Sequence, residues 1–162
     1  MSEPARFDPY ELFGVLERNR VSFMVIGGFA RVVHGSAETT DGLDIVPSLR
    51  EENLRRLERA LDELGAGPVQ ITDQPFTWRT RAGELRVIPT PWGTRGYEEM
   101  RHRGNREPLG RGIRPHVASP VDLVRTLEAS PRLEDAERLQ RLRRMMELDR
   151  QLHRHRGLGI ER

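Results

Sequence analysis

The chain has 162 residues and contains no Cys, which excludes a disulfide scaffold, a zinc–thiolate site and a thiol nucleophile. All 27 basic residues are Arg, and the net charge of +2 divides into −5 for residues 1–75 and +7 for residues 76–162, so the second half favours an anionic partner. The most apolar run, residues 23–30, is too short to cross a membrane and the N-terminus lacks the pattern of a signal peptide, so we expect a cytoplasmic protein with no membrane partner.

Turn and capping signals divide the first 75 residues into short helices and strands. Asp8 and Pro9 suit the N-cap and the first position of a helix, and Ser48-x-x-Glu51 is the pattern of a capping box. In chain order, the predicted elements are a helix over 8–19, a buried strand over 22–26, a helix over 29–34, a strand over 43–46, an amphipathic helix from 48 to 65 and a strand over 69–72.

The second half combines a hairpin with a helical C-terminal region. Residues 76–80 and 84–89 predict the two strands of the hairpin. The remaining predicted elements are a helical turn over 97–102, a strand over 114–117, a helix from 119 and a helix from 130 to about 153. We therefore expect an α/β fold of the α+β type, in which a small mixed sheet flanked by helices forms a core over 1–117 and a basic helical extension over 118–162 packs on it.

A pair of glycines follows the first strand at the start of a helix. Free backbone N–H groups and the positive end of the helix dipole make such a turn suitable for a phosphate group, although a tight turn without a ligand fits the same residues. The next strand carries Asp44 about fifteen residues later, which places a carboxylate beside the turn. Gly27, Gly28 and Asp44 are therefore the first candidate site residues.

A larger pattern surrounds these residues. The apolar strand and Gly27-Gly28 are followed by Ala30, His34-Gly35 and Thr40, and then by the Asp44 strand. This combination resembles the minimal nucleotidyltransferases of the DNA-polymerase-beta-like superfamily, in the group that includes abortive-infection toxins of bacterial toxin–antitoxin pairs. Two later segments are also similar, residues 88–97 and the run with Ser119, Asp122, Leu123, Arg132 and Asp135. The resemblance covers about residues 8–148 and implies a nucleotidyltransferase fold.

The resemblance also implies a degenerate metal-binding motif. In active members, three carboxylates hold two divalent metal ions that bridge the nucleotide triphosphate and the attacking hydroxyl. The second carboxylate falls on Asp44, but the first falls on Gly42 and the third on Arg86. A Lys that these relatives often carry falls on Leu127. Asp44 is then the surviving catalytic carboxylate, and the one metal ligand if a metal binds.

Two neighbouring acids are candidate substitutes for the missing carboxylates. A β-bulge at Gly42 would turn Asp41 toward the face that carries Asp44. Glu84 lies on the same face of its strand as Arg86, one pleat away. If either acid completes the site, the cofactor is Mg²⁺.

Arg86 supports a different interpretation, in which a guanidinium replaces the metal. Because Arg86 and Asp44 face one another in the resembled fold, we expect their side chains to pair. The pocket is then either a structural salt bridge or a metal-free anion site. The candidate nucleotide- or phosphate-binding residues are Gly27, Gly28, Ser36, Arg86 and Arg132. Trp92 either stacks on a base or closes the edge of the core.

Three functions remain open from the sequence. The first is a catalytically degenerate nucleotidyltransferase-fold protein that binds a nucleotide, an RNA or a partner protein, in a bacterial toxin–antitoxin-type system. The second is an active Mg²⁺-dependent nucleotidyltransferase that moves an NMP group from an NTP onto RNA or protein. The third is a non-catalytic module that self-associates through its oppositely charged halves.

Overall fold

Six strands form one mixed sheet in the computed structural model, which describes the backbone of residues 5–160 and the side chains of residues 5–156. In chain order, the elements are α1 (Pro9–Arg18), β1 (Phe23–Ile26), α2 (Gly27–Val33), β2 (Gly42–Pro47), α3 (Glu51–Glu63), β3 (Phe76–Thr80), β4 (Gly83–Val87), α4 (Tyr97–Met100), β5 (Asn105–Arg106), β6 (His116–Val117), α5 (Pro120–Glu128) and α6 (Glu134–Ile160). The strands lie in the order β3-β4-β2-β1-β6-β5. This architecture confirms the predicted fold class.

The helices α1 and α5 begin where the capping signals predict. The Asp8 carboxylate accepts a hydrogen bond from the backbone N–H of Glu11 at 3.2 Å, and the Ser119 hydroxyl accepts one from the backbone N–H of Asp122 at 3.1 Å. In both helices the next residue is Pro, which has no N–H to leave unpaired and a φ already suited to a helix. Local sequence therefore fixes both starting points.

The strand β2 lies near the centre of the sheet, antiparallel to β1 and parallel to β4. The register places Asp44 of β2 opposite Ile26 of β1 and opposite Arg86 of β4. The hairpin of β3 and β4 places Thr77 opposite Arg86. Because paired residues of neighbouring strands project to the same side of a sheet, Asp44, Arg86 and Thr77 share one face. This face carries the candidate site.

One apolar core joins the sheet to the helices. Its fully buried members come from α1, α3, α5, α6 and the strands, and include Leu12, Leu16, Ile45, Leu57, Leu61, Leu85, Leu123 and Leu142. The C-terminal helices therefore bury side chains in the same cluster as the strands, while a domain boundary at residue 117 stays a prediction. No helix within residues 5–160 is both long enough and apolar enough to cross a membrane.

The helix α3 begins without the predicted capping box. Its N-cap is Arg50, which makes no side-chain capping hydrogen bond, and Ser48 is buried just after β2. The Asn53 amide donates to the carbonyl oxygens of Ser48 and Ser22 at 2.8 and 2.9 Å. These bonds join the first turn of α3 to the residues next to β1 and β2. Ser48 therefore belongs to the segment that follows β2 and not to the N-cap of α3. The capping-box prediction is therefore wrong.

The segment over residues 69–72 forms no strand, contrary to the prediction. Its backbone is bonded to a helix instead, since the N–H of Ile71 donates to the Glu58 carboxylate at 3.0 Å. The two-residue edge strand β5 was not predicted, because two residues are too few to show an alternating pattern.

Besides α3, two helices begin at residues other than those predicted. The helix α2 begins at Gly27, directly after β1, and not at Phe29. The helix α6 begins at Glu134 and continues to Ile160, whereas the sequence predicts a helix from 130 to about 153. The Ser130 hydroxyl donates to the Asp135 carboxylate at 2.6 Å, so the residues before Glu134 form a side-chain-bonded turn and not the first turn of the helix.

A buried carboxylate joins α5 to the chain after α4. Asp122 is fully buried and accepts hydrogen bonds from Arg103 Nη2 at 2.8 Å and from Arg125 Nη1 at 2.9 Å. Arg125 also forms an ion pair with Glu99 of α4 at 3.2 Å. Because α5 contributes Thr126 and Leu127 to the candidate site, this network positions one wall of that site.

Replacing Asp122 with Ala should lower the free energy of unfolding by about 3 kcal/mol, the lower end for a broken buried ion pair, because the two remaining guanidinium groups are partly exposed. Urea denaturation followed by circular dichroism measures the change. Val121→Ala is the matched control, since this adjacent side chain is 54% exposed and its truncation should change stability by less than about 0.5 kcal/mol. Wild-type stability in Asp122→Ala would contradict the proposed role of the network.

Candidate functional site

A cleft opens between the sheet face that carries Asp44 and the helices α5 and α6. Two adjoining cavities fill it, with volumes of about 460 and 250 Å³. We call the larger one the apolar compartment, because it is lined by Ile26, Phe76, Ile88, Pro91, Trp92 and Leu127. We call the smaller one the basic compartment after its four arginines, Arg31, Arg86, Arg132 and Arg138, although five acids also line it, namely Glu38, Asp41, Asp44, Glu84 and Glu134. Gly28 and Gly42 border it as well. Six residues line both, namely Gly27, Arg31, Asp44, Thr77, Arg86 and Arg132.

The turn at Gly27 packs directly against Asp44. Gly27 has a φ of +69°, and a Cβ at this position would lie 2.5 Å from Asp44 Oδ2. Glycine alone satisfies both the backbone conformation and the close approach. The turn therefore accommodates a carboxylate of the protein itself, and the predicted phosphate contact at Gly27 and Gly28 stays a prediction.

Arg86 lies opposite Asp44 in the register but does not form the predicted ion pair with it. In the described part of the chain, no nitrogen of Arg86 lies within 4.0 Å of an Asp44 carboxylate oxygen, whereas Arg86 Nε donates to Thr77 Oγ1 at 3.2 Å. The hairpin partner thus orients the guanidinium in place of Asp44. The expectation of direct pairing is wrong, although the two groups remain close enough to influence one another.

Burial raises the pKa of the Asp44 carboxyl above its ordinary value. The positive charges of Arg86 and Arg31 lower this pKa, but they do not outweigh the loss of hydration. Ionisation of Asp44 is therefore less favourable in the folded protein than in the unfolded chain. An anion bound next to Asp44 would add further repulsion, which the neighbouring arginines must offset.

The two candidate substitute acids border the basic compartment only. Asp41 is exposed and precedes β2, and Gly42 continues the regular register of β2 with Glu84 as its partner on β4. Because no residue is inserted between the Gly42 and Asp44 pairs, the β-bulge that would turn Asp41 toward Asp44 does not form. Glu84 is exposed, and it is paired with the position that lacks a side chain.

The side chains of the cleft do not fit the three-carboxylate centre of a two-metal reaction. Among the residues that the structure describes, no three His, Asp or Glu side chains form a group that could hold a metal ion. Glu38 and Asp135 are engaged in ion pairs with arginines. Mg²⁺ requires oxygen ligands around it, and a guanidinium such as that of Arg86 carries only donors.

Arg31 is buried on α2 and is paired within its own segment. Its Nε and Nη2 donate to the Glu38 carboxylate at 2.8 and 3.0 Å. The Ser36 hydroxyl donates to the same carboxylate at 2.8 Å, so Ser36 serves this pair and lines neither compartment. Burial tends to raise the pKa of Glu38, but the hydrogen bonds from Arg31 and Ser36 lower it below its ordinary value.

Asp135 holds two further arginines at the cleft. This nearly fully buried carboxylate pairs with Arg132 at 2.9 Å and with Arg138 at 2.7 Å. Burial tends to raise the pKa of Asp135, but the hydrogen bonds from Ser130, Arg138 and Arg132 lower it. The Arg132 guanidinium also lies over the Trp92 ring, 5.3 Å from its centroid. This contact joins the ion pairs of Asp135 to an aromatic side chain of the apolar compartment.

The structure brings most of the sequence-based candidates together and adds others. Gly27, Gly28, Asp44, Arg86 and Arg132 all border the cleft, whereas Ser36 does not. Several cleft residues are not among the sequence-based candidates, and these include Arg31, Phe76 and Thr77. The observed register of the hairpin pairs Thr77 with Arg86, whereas the predicted strands, with three residues between them, leave Thr77 opposite Val87. No local pattern indicates Arg31, whose place in the cleft depends on how α2 packs.

No protein-family model matches the sequence, and no curated protein matches it. The solved structures that match include the antibiotic-resistance factor ANT(2'')-Ia, at 16% identity over 94% of this chain and 92% of that chain, with a TM-score of 0.61. The lincosamide antibiotic adenylyltransferase LnuA, solved with lincomycin bound, matches at 14% identity over 86% and 99% of the two chains, with a TM-score of 0.59. A Thermotoga maritima protein assigned as a nucleotidyltransferase matches at 14% identity over 98% of each chain, with a TM-score of 0.51. The chain therefore has the nucleotidyltransferase fold, as the sequence resemblance predicts.

Asp44→Asn should be more stable than the wild-type protein at neutral pH. The pKa of Asp44 is raised in the folded state, so ionisation there opposes folding as the pH rises through that raised pKa, and the penalty vanishes below the ordinary pKa of 3.8. Urea denaturation at a series of pH values should show a stability gain at pH 7 that disappears in acid. Asp41→Asn, at an exposed position, is the control and should change stability by less than about 0.5 kcal/mol. A loss of stability in Asp44→Asn at pH 7 would disprove this account of the carboxyl.

Proposed function

We propose that this chain is a catalytically degenerate protein of the nucleotidyltransferase fold that binds a phosphorylated ligand such as a nucleotide without a metal ion. The observation that carries the proposal is Arg86, a permanent cation in register with Asp44 in a cleft whose side chains do not fit a three-carboxylate metal centre. Side chains between residues 126 and 138, within the predicted helical extension, would form the outer wall of this site.

Arg86 has unused capacity to bind an anion. Its guanidinium carries several N–H donors. The one hydrogen bond that Arg86 donates within the described structure comes from Nε and ends on Thr77, so the two Nη groups remain for a ligand. The N–H groups of a guanidinium can donate two parallel hydrogen bonds to two oxygens of one phosphate. Such charge-assisted hydrogen bonds are stronger than those between neutral groups.

The other arginines of the cleft contribute less charge than their number indicates. Glu38 neutralises Arg31, and Asp135 is shared by Arg132 and Arg138. These acids hold the three side chains at the edge of the basic compartment and reduce the local net charge. Arg86 is therefore the cation that we expect to dominate binding of the phosphate.

A transferase reaction has less support than binding. The neighbour LnuA is an adenylyltransferase, but at 14% identity the likeness extends to the fold alone. In this chain, Mg²⁺-dependent transfer would require carboxylates at the positions that Gly42 and Arg86 occupy. The regular register of β2 does not turn Asp41 toward Asp44. Activity as an NMP transferase is therefore the weaker proposal.

An RNA surface along α6 also has less support. Several of its exposed arginines are paired with acids on the same helix, including Arg141 with Glu137 at 2.8 Å and Arg150 with Glu147 at 3.4 Å. Alternating charges of this kind are typical of a solvated helix face and give no continuous track for a phosphate backbone. Self-association, a partner protein, a cytoplasmic location and a bacterial toxin–antitoxin setting stay predictions.

Isothermal titration with ATP tests the binding proposal. Wild-type protein should bind ATP in EDTA, and adding Mg²⁺ should not tighten binding, because Mg²⁺ would screen the phosphates from Arg86. Arg86→Met should weaken binding by about tenfold or more, since a hydrogen bond to a charged group contributes about 1.5–3 kcal/mol. Arg79→Met on β3 is the matched control, because Arg79 is exposed and borders neither compartment. Binding that requires Mg²⁺, or that survives Arg86→Met unchanged, would refute the proposal.

Incubation with labelled NTPs, Mg²⁺ or Mn²⁺ and bulk tRNA tests whether catalysis survives. We expect no label on the RNA or on the protein, because the carboxylate set of a two-metal reaction is incomplete. The control is the same reaction with Asp44→Asn. Transfer by the wild-type protein that Asp44→Asn abolishes would establish the active alternative.

A further inference from the structure

We propose that the apolar compartment binds the base of a single nucleotide, so that the ligand of this cleft is a free mononucleotide with its phosphate at Arg86 and its ring beside Trp92. This inference rests on the proposed function, because it takes Arg86 as the phosphate contact. It adds the chemical class of the rest of the ligand.

The first observation is an aromatic mouth on the apolar compartment. Trp92 is 46% exposed and Phe76 is 57% exposed, and both rings border this compartment. Phe76 packs against Trp78, with ring centroids 4.5 Å apart, and Arg132 lies over Trp92, yet about half of each ring at the opening stays exposed and can be covered by a flat apolar group. The rings of nucleobases stack on such side chains whatever their sequence.

The second observation is the way Arg132 connects ring and charge. Its guanidinium lies over Trp92 and at the same time pairs with the buried Asp135 at 2.9 Å. The ion pair with Asp135 therefore fixes the orientation of the Arg132 side chain. In this orientation Arg132 borders both compartments. A planar guanidinium can stack on a ring and attract a phosphate, which are the two ends of a nucleotide.

The third observation is the shape of the space between these groups. The apolar compartment has a volume of about 460 Å³, within the range of pockets that enclose one small molecule. Ile26, Ile88 and Leu127 give it an aliphatic lining, and Arg86 lies on the wall that it shares with the basic compartment. The apolar lining and the cationic wall suit two different parts of one ligand. The ligand would place an anionic group at the wall with Arg86 and a ring in the apolar compartment. A chain of nucleotides would place further phosphates against the apolar lining.

Isothermal titration in EDTA with AMP, ribose 5-phosphate and a short RNA oligonucleotide tests the inference. AMP should bind the wild-type protein about tenfold or more tightly than ribose 5-phosphate, because stacking of the base adds to the phosphate contact. Trp92→Leu should remove this preference without changing the affinity for ribose 5-phosphate, and Trp92→Phe should retain it. Arg86→Met should weaken both ligands. AMP should change the tryptophan fluorescence of the wild-type protein, and this change should be lost in Trp92→Phe.

Leu133→Ala is the matched control, because Leu133 is 92% exposed and borders neither compartment, so its truncation should leave all affinities unchanged. Equal affinities for AMP and ribose 5-phosphate would overturn the base-binding inference and leave the proposed phosphate site standing. Binding of the oligonucleotide much more tightly than AMP would overturn the mononucleotide in favour of RNA. If ATP, AMP and ribose 5-phosphate all fail to bind, the proposed function itself fails.

Discussion

The parallel pairing of β2 with β4 places a permanent cation, Arg86, opposite the partly buried carboxyl of Asp44, and the chemistry of the cleft depends on this pairing. Asp44 is held from the other side by the turn at Gly27, where a Cβ would approach Oδ2 to 2.5 Å. A metal ion at this position would meet the charge of a guanidinium that cannot lose its proton. The same charge favours an anion, so Arg86 is the residue on which the proposed anion binding depends.

The acids and bases of the cleft have separate roles. Glu38 and Asp135 have lowered pKa values and hold three of the arginines in fixed ion pairs, so these five groups form a rigid border. Asp44 and Arg86 are closer to the centre, and neither forms an ion pair within 4.0 Å in the described part of the chain. The ion pairs of the border limit the net charge of the cleft and fix its shape. At the centre, the Nη groups of Arg86 remain available to a ligand.

Local signals in the sequence predict much of the fold, and tertiary contacts account for the rest. The Asp8 and Ser119 side chains accept hydrogen bonds from residues three positions later. Both helix starts can therefore be predicted from local sequence. The Ser48 capping box fails because Asn53 binds that residue's carbonyl oxygen, a contact that requires the strand end and the helix to be in place. In the site, Asp44 and Arg86 are found from sequence, but the pairing of Arg86 with Thr77 depends on a choice of rotamer that register alone does not determine.

The present residues of the cleft are adapted to one another, because single changes toward a metal site would each create a new conflict. A side chain at Gly42 would place its Cβ 3.2 Å from the Glu84 carbonyl oxygen, which is tighter than an ordinary contact. A carboxylate in place of Arg86 would face Asp44 across the strands and remove the charge that most lowers the pKa of that partly buried carboxyl. Two acids facing each other without a metal repel, so the metal would have to be captured before the site became stable. In the proposed function, the register of β2 with β4 therefore favours an anion over a metal ion in the cleft.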